Sequence, residues 1–341
     1  MMLVLGLAAG LWGLGHLLRA PVALRLALLA GLWAAVVLAH LVLPEGAGLR
    51  QTLGGTAASW AVLGGVAGLA LAYARGIKWL KAKTTPAAAP EGPFRQAELD
   101  RYSRHILLRE IGGPGQMRLK SARVLVVGAG GLGSPVLLYL AASGVGTLGV
   151  IDDDRVEGSN LQRQIIHTDQ RIGMAKVQSA EIAVRALNPF VEVRPYQRRL
   201  DADIAEALIA DYDLVLDGTD NFDTRYLVNR VCAKLGKPLI AGAITQWEGQ
   251  LSVYDPARGT PCYECVFPER PLPGMVPACA EAGVAAPLPG IIGAMMAMEA
   301  VKHLTGAGET LAGRLMLYDA LHAENRVITV KRRQGCAACG S

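Results

Sequence analysis

The sequence contains little charge: only 18% of its 341 residues are Asp, Glu, Lys or Arg, whereas 52% are hydrophobic. This composition is more apolar than that of a typical soluble enzyme. It indicates an average over a membrane part and an ordinary globular part. The formal net charge is a modest +5, and the basic residues are spread along the chain rather than clustered. Nucleic-acid binding, which depends on a concentrated basic surface, is therefore not indicated.

Charge is scarcest in the first 83 residues, which hold three apolar runs at residues 1–18, 26–43 and 52–74. No charged residue stands between Gln51 and Tyr73, which argues against a buried helical core. A membrane-spanning helix needs about 20 apolar residues and roughly 17 at the least, so the second and third runs are long enough and the first is marginal. No basic residue precedes the first run, as a secretory signal would require. We therefore predict two or three transmembrane helices in residues 1–83.

The basic residues around these runs predict their orientation, because cytoplasmic loops are enriched in Lys and Arg. Arg19 and Arg25 lie at the first connection. The cluster after the third run consists of Arg75, Lys78, Lys81 and Lys83. If all three runs span the membrane, both basic groups lie in the cytoplasm. If the first run is only peripheral, the two remaining spans still leave the domain that follows them in the cytoplasm. We expect a multi-pass protein of the inner (cytoplasmic) membrane whose larger domain faces the cytoplasm.

Residues 84–93 carry three prolines and small residues without apolar periodicity, which is typical of a linker. The remaining domain, residues 94–341, alternates strand and helix patterns. Strands are predicted at residues 123–127, 147–151, 191–196, 213–216 and 238–243, and helices at 97–111, 131–143, 175–187, 201–210 and 223–235. This alternation predicts an α/β fold with a Rossmann-like, mostly parallel sheet and helices on both faces. Residues 250–254 could add a strand of the other direction.

A glycine-rich turn, Gly128-Ala-Gly-Gly-Leu-Gly133, follows the first of these strands. Glycines allow a tight turn and a close approach of a phosphate to the backbone, and the N-terminus of the following helix attracts the anion. Ligands of such sheets bind at the carboxyl ends of the strands, where Asp152 could hold ribose hydroxyls. These features fit a dinucleotide such as NAD as well as ATP.

Three polar residues further along the chain favour ATP. Asn160, Arg163 and Lys176 place an amide and two cations beyond Asp152. Hydride transfer has no general need for them, whereas transfer at a triphosphate requires positive charge opposite the phosphates and the leaving pyrophosphate. Asp220 follows the fourth strand and could hold Mg²⁺ through a carboxylate oxygen.

Five motifs together resemble the bacterial ubiquitin-activating-type adenylyltransferases. They are Arg101-Tyr-Ser-Arg104, Gly128-Ala-Gly-Gly-Leu-Gly133, Ser159-Asn-Leu-Gln-Arg-Gln164, Asp217-Gly-Thr-Asp-Asn221 and Glu248-Gly-Gln250. Their order and spacing match the family over roughly residues 94–340. The resemblance is greatest to the molybdopterin-synthase adenylyltransferases, and the thiamine-pathway sulfur-carrier adenylyltransferases are near relatives. Members are typically soluble, so the N-terminal membrane segment departs from the family.

The resemblance implies where the substrates bind. It assigns ATP and Mg²⁺ to Gly131, Asp152, Ser159, Asn160, Leu161, Gln162, Arg163, Lys176, Asp220 and Asn221. It also implies a homodimer in which Arg104 reaches the ATP of the neighbouring subunit. The implied reaction is attack by the C-terminal Gly-Gly carboxylate of a small ubiquitin-like sulfur-carrier protein on the α-phosphate, with release of pyrophosphate. Arg104, Arg163, Lys176 and Mg²⁺ would neutralise the developing charge, and no protein nucleophile is needed.

Four of the six cysteines form two C-x-x-C pairs, Cys262 with Cys265 and Cys336 with Cys339. Two such pairs in a cytoplasmic domain predict a closed, structural Zn²⁺ site of four thiolates, which would tie the C-terminus to the middle of the domain. Disulfides are the alternative, disfavoured by a reducing compartment. The resemblance implies a zinc in matching positions.

The other two cysteines differ in their surroundings. Cys232 lies in an apolar helical stretch and is interpreted as core packing. Cys279 lies in a Pro- and Gly-rich loop at residues 268–289, where a thiol could be exposed and activated. The resemblance implies a thioester or persulfide-type link at this position in some members and no need for the cysteine in others.

Several alternatives remain open at this stage. A membrane-linked NAD-dependent oxidoreductase could use the same glycine turn, and a non-catalytic module could keep the fold to bind a ubiquitin-like partner. The carrier could belong to the molybdopterin or the thiamine pathway, because both carriers end in Gly-Gly. No rhodanese-type domain follows Cys339, so we expect sulfur transfer to come from another protein. His167 follows the Asn160–Gln164 motif and could line the nucleotide pocket, but the sequence assigns it no role.

Overall fold

The computed structural model describes residues 1–84, 92–271 and 282–340. The chain divides into two compact units, Met1–Glu91 and Gly92–Ser341. Each unit has its own core, so the two are described separately.

The first unit is entirely helical in its described part. Its helices are α1 (Met2–Leu17), α2 (Val22–Val42), α3 (Gly48–Leu53) and α4 (Ala57–Thr84). Two segments, Val22–Val42 and Ala57–Leu80, are long and apolar enough to cross a membrane by length and composition. They coincide with the second and third predicted runs, whereas α1 has only 16 residues. The membrane location of these helices stays a prediction.

A small cluster of side chains holds α2 and α4 together. The indole Nε1 of Trp33 donates a hydrogen bond to the carbonyl of Trp60 at 2.8 Å. The indole Nε1 of Trp60 donates in turn to the carbonyl of Gly54 at 2.9 Å. Trp60 packs with Val4 and Val36 in the only apolar cluster found in the described residues of this unit. Most other apolar side chains of the unit point outwards.

The second unit is built on one eight-stranded sheet in the described residues. Its strands are β1 (Arg123–Val127), β2 (Thr147–Ile151), β3 (Glu192–Tyr196), β4 (Leu214–Asp217), β5 (Leu239–Ile244), β6 (Glu248–Tyr254), β7 (Arg314–Asp319) and β8 (Glu324–Thr329). The spatial order is β3-β2-β1-β4-β5-β6-β7-β8. The first five strands in this order pair in parallel, and the pairs from β5 onwards are antiparallel.

The Rossmann-like α/β sheet is confirmed, but it is mixed rather than mostly parallel. The sequence predicted β6 as a strand of possible other direction, and it is antiparallel to β5. The last two strands were not predicted. Every residue of β8 is exposed, so this strand lacks the alternation of buried and exposed positions from which a strand is normally recognised.

Helices cover both faces of the sheet. They are α5 (Gln96–Ile106), α6 (Gly112–Ser121), α7 (Gly133–Ser143), α8 (Lys176–Leu187), α9 (Ala202–Ala210), α10 (Phe222–Leu235), α11 (Tyr263–Val266) and α12 (Leu288–Thr305). The predicted helix at residues 97–111 corresponds to α5, which ends earlier, at Ile106, and α6 was not predicted. Gly112, with φ of +58°, turns the chain where α6 begins, and Pro114 suits the first turn of that helix.

The alternation of side chains along β1 divides the core into two layers. Val124 and Val126 face a layer that includes Leu137 of α7 and Ile292 of α12. Leu125 and Val127 face the opposite layer, formed with α9 and α10. All four side chains are essentially inaccessible to solvent, because helices cover β1 on both faces. β1 is therefore a central strand, and the site is positioned relative to it. The carboxyl ends of β1, β2 and β4 meet at one edge of the sheet, since these strands are parallel neighbours.

Candidate functional site

The glycine turn connects the carboxyl end of β1 to α7. Gly128 has φ of +94°, a left-handed conformation that glycine adopts without steric cost. A Cβ at Gly133 would overlap with the carbonyl oxygen of Gly128, so the first turn of α7 can approach the strand only because residue 133 is glycine. The sequence thus fixes a tight strand-to-helix turn at this edge.

Protein groups hold the peptides of this turn in one orientation. The N–H of Ala129 donates to Oδ2 of Asp152 at 2.7 Å. The carbonyl of Gly130 accepts from Oγ of Ser134 at 2.7 Å. Within the described residues, the N–H groups of Gly130 and Gly131 donate no hydrogen bond to the protein. Two backbone donors are therefore left for an anion at the start of α7.

A cavity of about 1410 Å³ opens in front of the turn. Six predicted ATP-site residues line it: Gly131, Asp152, Arg163, Lys176, Asp220 and Asn221. Its other end is lined by β6 to β8, including Gln250, Tyr318 and Arg326. Small-molecule sites occupy about 300–1,000 Å³, so this cavity has room for more than one small ligand.

Lys176 is a deeply buried cation at the cavity. Its side chain is only 6% exposed, and its Nζ lies 2.7 Å from Oδ2 of Asp154, which is 65% exposed. Lys176 begins α8, and its N–H donates to the carbonyl of Asp154 at 3.0 Å. The Asp154 carboxylate thus holds the Lys176 ammonium group in this structure, and because Asp154 is largely exposed, its side chain can also turn towards solvent.

Arg163 is positioned by the turn that precedes it. Its Nη2 donates to Oδ1 of Asn160 at 2.8 Å, and the Nδ2 of Asn160 contacts Oε2 of Glu157 at 3.4 Å. Asn160 therefore orients the guanidinium and does not itself line the cavity. The structure does not bring Ser159, Leu161 or Gln162 into the cavity lining either. Their assignment to the nucleotide stays a prediction.

Asp152 links the turn to the end of β2. Its Oδ1 accepts from the N–H of Asp154 at 2.8 Å, while its Oδ2 holds Ala129. Burial raises the pKa of Asp152, and the positive charge of Lys176 and these two amide hydrogen bonds partly offset the effect. Each carboxylate oxygen keeps a lone pair, so an additional hydroxyl donor can be accommodated.

Asp220 and Asn221 connect β4 to α10. Oδ1 of Asn221 accepts from the N–H of Thr224 at 2.8 Å and thereby caps the helix. Asp220 is exposed and lines the cavity. An exposed carboxylate at the cavity suits an oxygen-ligated divalent ion.

Arg104 lies elsewhere. It is an exposed residue of α5 and does not line the cavity of its own chain. The structure contains a single chain, so the prediction that Arg104 acts in a neighbouring subunit is not tested and stays a prediction. Cys279 falls outside the described residues, and its predicted covalent role stays a prediction.

Sequence reasoning missed a buried arginine at the floor of the cavity. Arg225 is 5% exposed, and its Nη2 donates to the carbonyls of Gly242, at 2.6 Å, and Thr219. It ties the end of β5 to the loop before α10. A charge inside a predicted amphipathic helix is normally assigned to solvent, so only the fold reveals this contact.

The four predicted cysteine ligands do come together. The Sγ atoms of Cys262 and Cys265 are 3.7 Å apart, and each lies 3.6 Å from one cysteine of the C-terminal pair, Cys336 or Cys339. A regular tetrahedron of thiolates around Zn²⁺ has sulfur atoms about 3.8 Å apart, from Zn–S bonds of about 2.3 Å. Burial raises the pKa of the Cys262 and Cys265 thiols, which a bound cation would counteract.

Asn229 connects this cluster to α10. Its Nδ2 contacts Sγ of Cys262 at 3.8 Å and Oε1 of Glu264 at 3.1 Å, and its Oδ1 accepts from the N–H of Tyr263 at 2.8 Å. Arg230 forms an ion pair with the same Glu264. Such outer hydrogen bonds keep sulfur ligands oriented.

A glycine turn with unused amides, a buried lysine and an arginine at the carboxyl edge of a parallel sheet define a nucleotide-binding α/β enzyme. Comparison with known proteins gives the family. The model of the ThiF family matches residues 102–338, and the chain belongs to this family.

Curated relatives give the class of enzyme. The chain is 52% identical over 251 residues to a sulfur carrier protein adenylyltransferase of Thermus thermophilus, which covers 72% of this chain and 93% of the relative. It is 51% identical to the SAMP-activating enzyme E1 of Haloferax volcanii, with 71% and 89% covered. It is 50% identical to the probable adenylyltransferase/sulfurtransferase MoeZ of Mycobacterium tuberculosis, with 72% and 64% covered. The protein is a ThiF-family adenylyltransferase, and the oxidoreductase and non-catalytic alternatives are set aside.

Solved structures support the fold. E. coli MccB in complex with MccA-N7isoASN has a TM-score of 0.63 at 23% identity, with 71% of this chain and 75% of that chain covered. PaaA has a TM-score of 0.62 at 23% identity, with 87% and 90% covered. These likenesses show that the sheet and its helices follow a known arrangement.

Proposed function

We propose that the enzyme uses ATP to adenylate the C-terminal Gly-Gly carboxylate of a small ubiquitin-like sulfur-carrier protein. The small subunit of molybdopterin synthase is the first candidate, and the thiamine-pathway carrier is the alternative. The observation that carries the proposal is the meeting of Lys176, Arg163 and the unused amides of Gly130 and Gly131 at one cavity. These groups are donors only, which suits a polyphosphate.

In the proposed reaction, a carboxylate oxygen of the carrier forms a bond to the α-phosphorus, and the bond from that phosphorus to the pyrophosphate oxygen breaks. Pyrophosphate leaves, and the carrier keeps the adenylyl group as a mixed anhydride. The enzyme holds the two anions in line and neutralises their charge, so positioning and electrostatics supply the catalysis. Lys176 is suited to the phosphates because burial strengthens its field.

The shape of the cavity supports two substrates. The nucleotide would occupy the end at the glycine turn, with Asp152 facing a ribose hydroxyl. An extended carrier tail would enter along β6 to β8, past Gln250 and Arg326, which line the other end. A Gly-Gly terminus has no side chains and therefore needs little space beside the phosphate.

Two metals fit residues of this chain. Asp220 would hold Mg²⁺, which supplies further neutralisation of phosphate charge when bound. Cys262, Cys265, Cys336 and Cys339 would hold a structural Zn²⁺, because their sulfur spacing matches a closed tetrahedral site.

The cellular setting is also part of the proposal. A homodimer would allow Arg104 to complete the neighbouring site. Helices α2 and α4 would anchor the enzyme in the inner membrane, with residues 94–341 in the cytoplasm, where the carriers and ATP are present. Their length and apolar exposed surface support this location.

Isotope exchange between pyrophosphate and ATP tests the proposal. Exchange should require a carrier with its complete Gly-Gly terminus and should be absent with a carrier that lacks the last glycine. Asp220→Ala should abolish exchange, whereas Asp211→Ala, at an exposed position outside the cavity, should retain it. Full exchange by Asp220→Ala would remove this residue from the mechanism, and exchange with the shortened carrier would show that the complete Gly-Gly terminus is not required.

A further inference from the structure

A buried histidine lies directly behind the glycine turn and has no part in the function described so far. His167 is 5% exposed and does not line the cavity, so it cannot touch a bound nucleotide there. Its two ring nitrogens are both hydrogen-bonded: Nε2 lies 2.9 Å from the carbonyl oxygen of Ala129, and Nδ1 lies 2.9 Å from Oγ of Ser179. Both nitrogens of this buried ring have hydrogen-bond partners, which indicates that His167 has a structural role behind the turn.

The direction of each hydrogen bond follows from the chemistry of the groups. Arg171 can only donate, and its Nη1 contacts the carbonyl oxygen of Ser179 at 2.6 Å and its Oγ at 3.1 Å. The Ser179 hydroxyl therefore accepts from Arg171 and has its own proton available for Nδ1 of His167. At the other end, the carbonyl of Ala129 can only accept. Both ends assign the proton of a neutral imidazole to Nε2.

The acceptor at the end of this relay is part of the phosphate-binding turn. In a trans peptide the C=O and N–H groups point in opposite directions. When the carbonyl of Ala129 is directed towards His167, the N–H of the same peptide, which belongs to Gly130, is directed away from it. Gly130 lines the cavity, and its N–H has no protein acceptor among the described residues.

The same turn residue is held on its other side. The N–H of Ala129 donates to Asp152, so both backbone groups of this residue are fixed by side chains far away in the sequence. Gly130 has no side chain to resist rotation of the peptide, and the peptide on either side of a glycine reorients easily. A donor behind the turn is therefore needed to keep the Gly130 amide aimed outwards when the cavity is empty.

We propose that His167 is a positioning residue of the nucleotide site: held by Ser179 and Arg171, it donates from Nε2 to the carbonyl of Ala129 and so presents the Gly130 N–H to the phosphates. This inference rests on the proposed function, because it presumes that the turn binds ATP. It assigns a role to a residue three positions beyond the Ser159–Gln164 motif. Asn160 of the motif orients Arg163, and His167 orients the glycine turn.

The position is suited to this role rather than to proton transfer. Burial lowers the pKa of His167, which favours the neutral ring that the hydrogen bonds require, and Lys176 and Arg171 act in the same direction. The reaction itself transfers no proton to the protein, since the attacking group is a carboxylate. His167 therefore acts through Ala129 and not on the reacting atoms.

Four variants of the full-length chain, purified in mild detergent, separate positioning from general stability. His167→Gln keeps an N–H near the place of Nε2, His167→Leu removes it, and Ser179→Ala removes the group that orients the ring. Ser252→Ala is the matched control, because Ser252 is equally buried and its Oγ donates to the carbonyl of Arg314 outside the glycine turn. The measurements are the Kd of a non-hydrolysable ATP analogue, the KM and kcat of adenylation, and the Tm without nucleotide.

His167→Leu should raise the Kd and the KM for ATP by about tenfold, as expected for one buried acceptor left without its donor. Ser179→Ala should raise them less, and His167→Gln should stay within about threefold of the wild type. The KM for the carrier should not change, and Ser252→Ala should alter Tm without altering the Kd for ATP.

The inference is overturned if His167→Leu binds the analogue within about twofold of the wild type, or if His167→Gln loses as much affinity as His167→Leu. If the wild-type enzyme itself fails to bind ATP, the proposed function fails and this inference with it. If the wild type binds ATP and the Leu variant binds as tightly, only the inference fails. The two results are therefore distinguishable.

Discussion

In the unit of residues 1–91, helix surfaces carry apolar side chains such as Leu38 and Leu69, which are 60% and 74% exposed. In the unit of residues 92–341, strand residues such as Val124 and Leu148 are inaccessible to solvent. Both units are rich in Leu, Val and Ala, so the presence of these residues alone does not separate them. The difference lies in what the apolar groups face: their own protein in the second unit, and in the first a medium that is itself apolar if the membrane prediction holds.

The polar groups follow the same division. In the second unit, the described charged and polar residues meet at defined places, the nucleotide cavity and the cysteine cluster. In the first, the polar contacts of described side chains are mostly to nearby backbone carbonyls, as with Trp33, Trp60 and Arg50. The candidate site thus belongs to the second unit, and for the first we propose a role in location. Each prediction below acts on one unit and leaves the other unchanged.

The largest effect is expected from Lys176→Met. The substitution removes a buried cation of the cavity, which we propose faces the phosphates, while keeping the length of the side chain. We expect kcat/KM for adenylation to fall by about 10²–10³. The fraction of enzyme in membranes should remain that of the wild type. Lys234→Met is the control, because Lys234 pairs with Glu206 on the surface and lies outside the cavity. Equal activity of Lys176→Met and Lys234→Met would contradict the site.

The next effect concerns the cysteine cluster. Cys336→Ser should lose the bound zinc and destabilise the second unit on the order of several kcal/mol, because metal binding and folding are coupled in such sites. Metal content measured by mass spectrometry and thermal unfolding would check this. Cys232→Ala should retain the zinc, since Cys232 lies apart from the cluster in the core. Zinc retained at full occupancy in Cys336→Ser would refute the four-thiolate site.

The sequence predicted more of the fold than of the site. Its strands β1 and β2 are found with the predicted bounds, because buried apolar runs next to glycine and aspartate mark strands clearly. Strands β7 and β8 were missed, because β8 is exposed throughout and β7 only partly buried. Neither has the pattern that a buried strand leaves in a sequence.

Motifs predicted ten residues for the nucleotide site, of which six line the cavity, but they did not predict how these residues are arranged. The pairing of Arg163 with Asn160 is local and follows from their spacing of three residues. The contacts of Ala129 with Asp152 and with His167 cross 23 and 38 residues. Such contacts depend on the order of strands in the sheet, which a single sequence does not specify.

A smaller effect is expected in the first unit. Leu69→Lys places a charge near the middle of α4, which costs about 2.5–3.5 kcal/mol at the centre of a membrane-spanning helix. We expect less protein to resist carbonate extraction from membranes, with unchanged adenylation by the molecules that remain folded. Leu69→Ile is the control for size. If Leu69→Lys leaves extraction unaffected, α4 does not cross the bilayer at that residue.

The smallest effect is a dependence of stability on pH. Burial lowers the pKa of His167 below its ordinary value of 6.5, so the unfolded chain binds a proton that the folded unit does not. The free energy of unfolding should therefore decrease as the pH falls below about 6.5, and His167→Gln should show a shallower decrease in denaturant titrations without nucleotide. His303 has a lowered pKa for the same reason and contributes in the same direction in both proteins. An identical pH dependence in the variant and the wild type would show that His167 does not titrate as stated.

The most direct test of the central claim is the intact mass of each candidate carrier after incubation with the full-length enzyme, ATP and Mg²⁺. The account predicts that at least one carrier gains the mass of a single adenylyl group at its C-terminus, and that Lys176→Met forms this species about 10²–10³ times more slowly. Unchanged masses of both carriers, under conditions in which the enzyme binds ATP, would contradict the claim that the second unit activates a sulfur carrier.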